Sequence, residues 1–298
     1  MQRPIHLIFV SALLAFLPFM YAVSLAETAE IRKPVWAGKF YPETRLELME
    51  LIETLSVQAA GTAIAEPAGK KLKAVVIPHA GYIYSGWTAA HACNILKGKP
   101  FKKVIIMGPD HRIGFPHVAV SHAAAYQTPL GNVPLHQDAA KLRAGSTLFQ
   151  AVEASDRMEH SLEVVLPFLQ YAIKNFSFIP MVMGSRVDVQ AVSSRVAELL
   201  DHETLVVVSS DLSHYLPYNQ AETRDKETIS MILNLEDDKL LARENAACGV
   251  IPLCSLIRLA DRFNWRPKLI HYSNSGDTAG TKDKVVGYTA IAFYGDHS

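Results

Sequence analysis

Neither sign of charge is in excess. Lysine plus arginine and aspartate plus glutamate each number 29, for a formal net charge of +0 with histidine neutral, and neither sign gathers into long runs. The basic stripe that a nucleic-acid surface requires is missing, which excludes nucleic acid as a partner. Cysteine is scarce: Cys93, Cys248 and Cys254 are three in 298 residues, too few for a disulfide-built scaffold. No C-x-x-C, G-x-G-x-x-G, Walker loop or H-E-x-x-H occurs, so nucleotide and dinucleotide cofactors lack support. After residue 35 no Pro/Gly/Ser-rich linker, repeat or low-complexity tract divides the chain. With 49% apolar and 19% charged side chains, a single large core is the simplest expectation.

The N-terminus sets Arg3 ahead of an apolar stretch from Leu7, then small residues at Ser24 and Ala26. This order predicts a secretory signal over residues 1–26, cleaved after Ala26. An uncleaved anchor is the alternative, because the stretch from Leu7 to Ala26 carries no charge and is long enough to span a bilayer. Either way the folded part is expected outside the cytoplasm, with the periplasm as the expected compartment. An odd cysteine count in an exported chain leaves at least one thiol free or holding a metal. Cys93 and Cys254 lie in apolar helical contexts that suit buried small hydrophobes. Cys248, followed by Gly249, does not, and a Cys248–Cys254 disulfide stays open.

Short β-branched runs bounded by Gly, Pro, Asp or Ser alternate with segments of helical spacing. "LKAVVIP", "KKVIIMG", "HVAVS", "FIPMVMG", "TLVVVSS", "KLIHYS" and "GYTAIAFY" read as strands. "TRLELMELIETLSVQ", "SGWTAAHACNILKG", "SLEVVLPFLQYAIK", "DVQAVSSRVAELL" and "ETRDKETISMILNLE" read as helices. The pattern predicts an α/β fold, a single domain with a central, mainly parallel sheet flanked by helices. "TPLGNVPLH" reads as a hairpin turning at Gly131 and Asn132.

In such a sheet ligands bind beyond the carboxyl ends of the strands. Three strands end on polar groups suited to chemistry: "VVIPHAG" on His79, "VIIMGPDH" on Asp110 and His111, and "VVVSSDLSH" on Asp211 and His214. Imidazoles on neighbouring loops suit a divalent transition metal or proton transfer. Asp211, three residues before His214, is expected to pair with that ring and fix its tautomer, or to cap the segment from Leu212. His160, after Glu159, sits at a helix start where capping explains it nearly as well as a pocket does. His91 reads as structural. Ser209 and Ser210 lack a G-x-S-x-G elbow, which weakens a serine-hydrolase reading.

"PVWAGKFYP", "IPHAGYIYSG", "GPDH", "TPLGNVPL", "EHSLEVVLPFL", "SSDLSH", "CGVIPL" and "NSGDTAGTKDKVVGY" stand in the order and approximate spacing of the Memo (mediator of cell motility) family, which the chain resembles from about residue 34 to residue 294. The resemblance implies a Memo-like domain over 34–296, with a fold similar to that of the class III extradiol dioxygenases. It implies His79, His111 and Cys248 as metal ligands, Asp211 and His214 beside the metal, iron(II) or copper as cofactor with zinc as a further option, and a functional link to a radical-SAM protein. Ala80 and Gly81 would leave space for the metal, and Phe40 and Tyr41 would stand near the pocket, although by sequence alone both read as core. Where the dioxygenases use a carboxylate, this chain has Cys248, so ring cleavage does not simply carry over. The expected functions are a metal-dependent oxidoreductase, a non-catalytic metal- or peptide-binding module, and, third, a zinc-assisted hydrolase.

Overall fold

The computed structural model describes residues 30–61 and 66–296. The predicted leader, residues 1–26, lies outside them. Among the described residues no helix is long and apolar enough to cross a membrane.

In chain order, β1 (Ile31–Arg32) precedes α1 (Arg45–Ala60), and β2 (Lys71–Ile77) leads into α2 (Tyr82–Leu96). Next come β3 (Lys103–Pro109), β4 (Val118–Ala119), β5 (Ala125–Thr128), β6 (Gly131–Pro134), α3 (Asp138–Arg143), β7 (Phe149–Gln150), α4 (Glu153–Met158) and α5 (Leu166–Ala172). The remainder comprises β8 (Ser177–Met183), α6 (Val189–Ala197), β9 (Thr204–Ser209), β10 (His214–Leu216), α7 (Tyr218–Leu233), α8 (Asp237–Leu241), α9 (Val250–Arg262), β11 (Arg266–Asn274) and β12 (Val285–Gly295).

The main sheet runs β10-β12-β2-β9-β3-β8-β4-β7, with β11 on β12. Its centre, β2-β9-β3-β8, is parallel, with Val76 opposite Val208 and Ile105 opposite both Val206 and Ile179. Outside that centre β12 is antiparallel to β2, β10 and β11, and β4 is antiparallel to β8. The α/β fold, its flanking helices and the parallel centre are as predicted, while the sheet as a whole is mixed and not mainly parallel. Strand direction depends on how distant segments pair, which an apolar run does not encode.

Alternation explains why the central strands read as unbroken apolar runs. Val75, Ile77, Val104, Ile106, Leu205 and Val207 pack on one face with α1, α2 and α5 through Leu48, Ile52, Leu96 and Phe168. Ala74, Val76, Ile105, Met107, Val206 and Val208 pack on the other with α6 and α9 through Val192, Val196, Leu253 and Ile257. Both faces are covered, so both phases of the two-residue period must be apolar.

Two local expectations shift. The hairpin turns at Pro129–Leu130, because Thr128 is opposite Gly131 and its hydroxyl accepts the Leu130 N–H at 3.0 Å. Proline in the second position and glycine in the fourth suit that turn, and Gly131 sits at φ 123°, where other residues are strained. The helix predicted from Ser161 becomes regular only at Leu166, with Pro167 in its first turn, where a missing N–H costs nothing. The residues before it, 159–165, are thereby free to adopt the irregular path that the site uses.

Away from the strand ends, His91 on α2 stacks on His271 of β11, ring centroids 3.8 Å apart. Thr88 Oγ1 lies 2.9 Å from His271 Nδ1. Burial lowers the pKa of both rings, and for His271, pushed to about 4, the neighbouring His91 adds to the effect. A depressed folded-state pKa means that the unfolded chain takes up the proton first. Stability supplied by the neutral pair is thus present above about pH 6.5 and lost as pH falls toward 4. Thermal melts at pH 7.5 and pH 5 are expected to show a drop smaller by about 2–4 °C in His271→Gln than in the parent. Equal drops would refute the pair's role.

Candidate metal centre

The site forms where the central parallel strands end. After β2 the chain turns at Pro78 and His79, and Gly81 then starts α2. After β3 it passes Asp110, whose carboxylate accepts the N–H groups of Arg112, Ile113 and Gly114 and so shapes the loop carrying His111. After β9 come Ser210 and Asp211. Cys248 arrives from far along the chain, in the turn before α9, and locks onto this edge by a reciprocal contact. Its N–H donates to the Asp211 carbonyl at 3.2 Å, and the Asp211 N–H donates to its Sγ at 3.2 Å. Gly249 makes the approach possible: a Cβ there would lie 2.6 Å from the Ser210 side chain, and its N–H donates to Ser210 Oγ at 3.0 Å.

One donor atom each from His79, His111 and Cys248 lies within 4.8 Å of the others. His79 Nε2 is 3.3 Å from Cys248 Sγ, and the His79 and His111 rings meet edge to face with centroids 5.2 Å apart. Nitrogen and sulfur ligands about 2.1 and 2.3 Å from one tetrahedral ion stand about 3.5 Å apart, so this donor set fits a single transition-metal ion. Without a cation, the same spacing lets the thiol hydrogen-bond to the imidazole. Burial lowers the His79 pKa to about 3, helped by His111, which keeps the ring neutral as a ligand must be. Burial also pushes the Cys248 thiol up, and the Asp211 carboxylate adds to this, so a bound cation would have to displace its proton.

Cys248 is not in a disulfide. All three cysteines are free; the Cys254 thiol points to the Asp237 carbonyl, 3.5 Å away, and Cys93 and Cys254 are buried as expected.

The expected Asp211–His214 hydrogen bond does not form. Asp211 instead accepts the His79 N–H at 2.8 Å and a backbone bond from Ala80. Burial raises its carboxyl to about 6 against the pull of His214 and those N–H groups. The His214 tautomer is fixed by a carbonyl, since Nδ1 donates to Leu212 O at 2.8 Å. Gly81 does not open space at the metal either: a Cβ there would make ordinary contact with the Phe40 carbonyl, at 3.6 Å.

Phe40 and Tyr41 divide the two roles expected of them. Tyr41 is core, its hydroxyl donating to Glu163 at 2.7 Å. Phe40 is only partly buried and lies 4.9 Å from the His160 ring. Trp36 packs edge-on to both Phe40 and His160, and the Arg112 guanidinium lies over Trp36 at 4.8 Å.

Glu159 and His160 matter more than their sequence context suggested. The Glu159 carboxylate accepts the His111 N–H at 2.8 Å and stands 2.9 Å from His111 Nδ1. The His160 ring stacks on His111 with centroids 4.5 Å apart and stands edge-on to His79. Burial would raise the Glu159 pKa, but the hydrogen bond to His111 and the charges of His111 and His160 outweigh it and lower it. His111, Glu159 and His160 form a second group of donor atoms within 4.8 Å of one another. The one signal in the sequence was an acid–histidine doublet just before an apolar run.

A family profile described as "Memo-like protein" matches residues 32–292. A MEMO1 family protein of Thermoplasma volcanium is 37% identical over 268 residues, covering 88% of this chain and 97% of its own. One from Methanosarcina mazei is 36% identical over 273 residues, covering 88% and 98%. Among solved structures, an uncharacterized protein from Escherichia coli K12 is similar with a TM-score of 0.48 and 12% identity, over 74% of this chain and 99% of that one; so slight a likeness says nothing about the site. The sequence match, by contrast, runs through every strand end that carries a donor, and on that basis this chain belongs to the Memo-like family.

Proposed function

We propose that the chain binds one transition-metal ion, iron(II) or copper, through His79, His111 and Cys248, and works as a metal-dependent oxidoreductase. The observation that supports this reading is the convergence of two imidazoles and one thiol from three distant parts of the chain. When bound, such an ion supplies Lewis acidity and, for iron or copper, electron-transfer capacity. The protein's own contribution is a proton carrier. His214 donates Nδ1–H to the Leu212 carbonyl, so its Nε2 holds the lone pair that accepts a proton. Asp211 serves by holding the His79–Ala80 backbone in place.

A second reading, binding of a metal or peptide without turnover, is favoured by the thiolate, which is softer than the carboxylate of an oxygen-activating triad. Elemental analysis of protein purified without chelator separates the readings from a site without metal. Iron, copper or zinc at about one per chain is expected. If none is present and adding each leaves the melting temperature unchanged, both readings fall. Oxygen uptake by iron-loaded protein over a panel of catechols and phenols then decides turnover. Uptake above that of His214→Ala supports an enzyme, and metal binding without uptake supports the binding module. Zinc alone, with ester or amide hydrolysis, would replace redox chemistry by metal-assisted hydrolysis. Export, and any link to a radical-SAM protein, would be tested separately by fractionation and co-purification.

A further inference from the structure

The two histidines of the candidate centre are fixed by one continuous set of hydrogen bonds through residues 159–161. We infer that Glu159 and Ser209, joined through the Ser161 peptide, act as a single positioning device that holds both His79 and His111 with hydrogen on Nδ1 and so turns Nε2 of each toward the ion. This rests on the metal-binding reading above for its purpose, but the tautomers themselves follow from the protein's own groups.

On the His79 side, the Ser209 hydroxyl donates to the Ser161 carbonyl, an acceptor only. Its proton is thereby committed, and the hydroxyl oxygen 2.8 Å from His79 Nδ1 can only accept. Nδ1 must carry the hydrogen. On the His111 side, Glu159 Oε1 takes the N–H groups of His160 at 2.9 Å and Ser161 at 2.8 Å, and Oε2 takes the His111 N–H at 2.8 Å. A carboxylate surrounded by donors accepts from the ring as well, at 2.9 Å, so this Nδ1 also carries hydrogen. The two halves meet at Ser161, whose N–H faces Glu159 and whose carbonyl faces Ser209.

Ser161 is itself held under the sheet edge. Its hydroxyl donates to the Pro109 carbonyl at 2.9 Å. Gly108 lets it come so close, since a Cβ there would lie 2.8 Å from Ser161 Oγ. The end of β3, which launches His111, and the end of β9, whose Ser209 meets the His79 ring, are therefore tied to one buried residue. The second donor group, His111 with Glu159 and His160, is better explained in this way than as a second ion site. Oε1 already takes three hydrogen bonds and Oε2 a fourth, so the carboxylate charge is met by the protein's own donors. Partners of this kind fix ligand orientation and typically matter about 10–100-fold in metal affinity.

The test uses the full chain with 15N-labelled histidine, in the metal-free state and in zinc(II) titrations. Ring nitrogen shifts, assigned by loss of signal in His79→Asn and His111→Asn, are expected to show Nδ1–H for both rings in the parent. Ser209→Ala is expected to give His79 a mixture of tautomers and weaken zinc binding about 10–100-fold, with Ser209→Thr restoring both. Glu159→Gln is expected to do the same to His111; should it fail to fold, Ser209→Ala and the parent spectrum carry the test. Nε2–H on either ring of the parent, or parental zinc affinity and unchanged shifts in Ser209→Ala, would overturn the inference. If the parent shows both tautomers as expected and binds no metal, the positioning device stands and the metal-binding reading fails.

Discussion

Cys248→Ser is expected to weaken binding of zinc(II) or iron(II) by at least about a hundredfold, or about 2.7 kcal/mol. A hydroxyl is a poor donor at neutral pH, whereas a thiolate is a strong one, and the loss of a direct ligand should exceed that of a partner behind it. The substitution changes one atom in a position set by backbone hydrogen bonds to Asp211, so the metal-free fold should survive. Competition titration against a chromophoric chelator measures the change. The metal-induced rise in melting temperature should shrink in parallel, because a ligand stabilises only in proportion to its binding. Parental affinity in Cys248→Ser would remove the thiol from the centre and leave two imidazoles that cannot define the site.

Glu163→Ala is expected to cost about 3–5 kcal/mol of stability, the range for removing one partner of a buried ion pair. Glu163 is fully buried and gathers contacts from across the N-terminal strap, residues 32–41. It pairs with Arg32 at 2.7 Å, accepts the N–H groups of Val35 and Trp36 at 3.1 and 2.7 Å, and accepts the Tyr41 hydroxyl at 2.7 Å. Removing it takes the countercharge from a buried guanidinium, which keeps only the Asp156 and Glu159 carbonyls, and the acceptor from three further donors. For a domain of this size the melting temperature should fall by about 10 °C. Glu163→Gln, which keeps an acceptor oxygen, should lose less. A change under about 1 kcal/mol in the alanine variant would show that the strap is held by its other contacts. The effect reaches the site, because this strap places Trp36 and Phe40 against His160.

The strands β2, β3, β8, β9 and β12 were legible because each is apolar in both phases of its alternation, as a sheet covered on both faces demands. The short helices were not. α3, α4 and α8 are 5 or 6 residues long, below the length at which a 3.6-residue period stands out. His79 and His111 were legible as imidazoles in the loops after apolar strands; the odd cysteine count and Gly249 set Cys248 apart from the buried thiols, but only the family resemblance made it a candidate ligand. Asp211 and His214 show the limit of reading spacing as contact. Three residues apart, they are taken by the His79 backbone and the Leu212 carbonyl instead. Glu159 was missed for the converse reason: its partner His111 is 48 positions away, as is the Ser161 partner of Ser209.

The sequence by itself determined the alternation of strands and helices, the chemical types of the donors and the strand ends from which two of them project. These depend on local periodicity and on side-chain chemistry, which each segment carries alone. Only the tertiary structure decided which strands run antiparallel, that Cys248 stands 3.3 Å from His79, and that a glutamate and a serine beside the two imidazoles are linked through one residue, Ser161. Those contacts join segments whose separation along the chain is paid in loop entropy and recovered only when the whole core closes, so no local pattern records them.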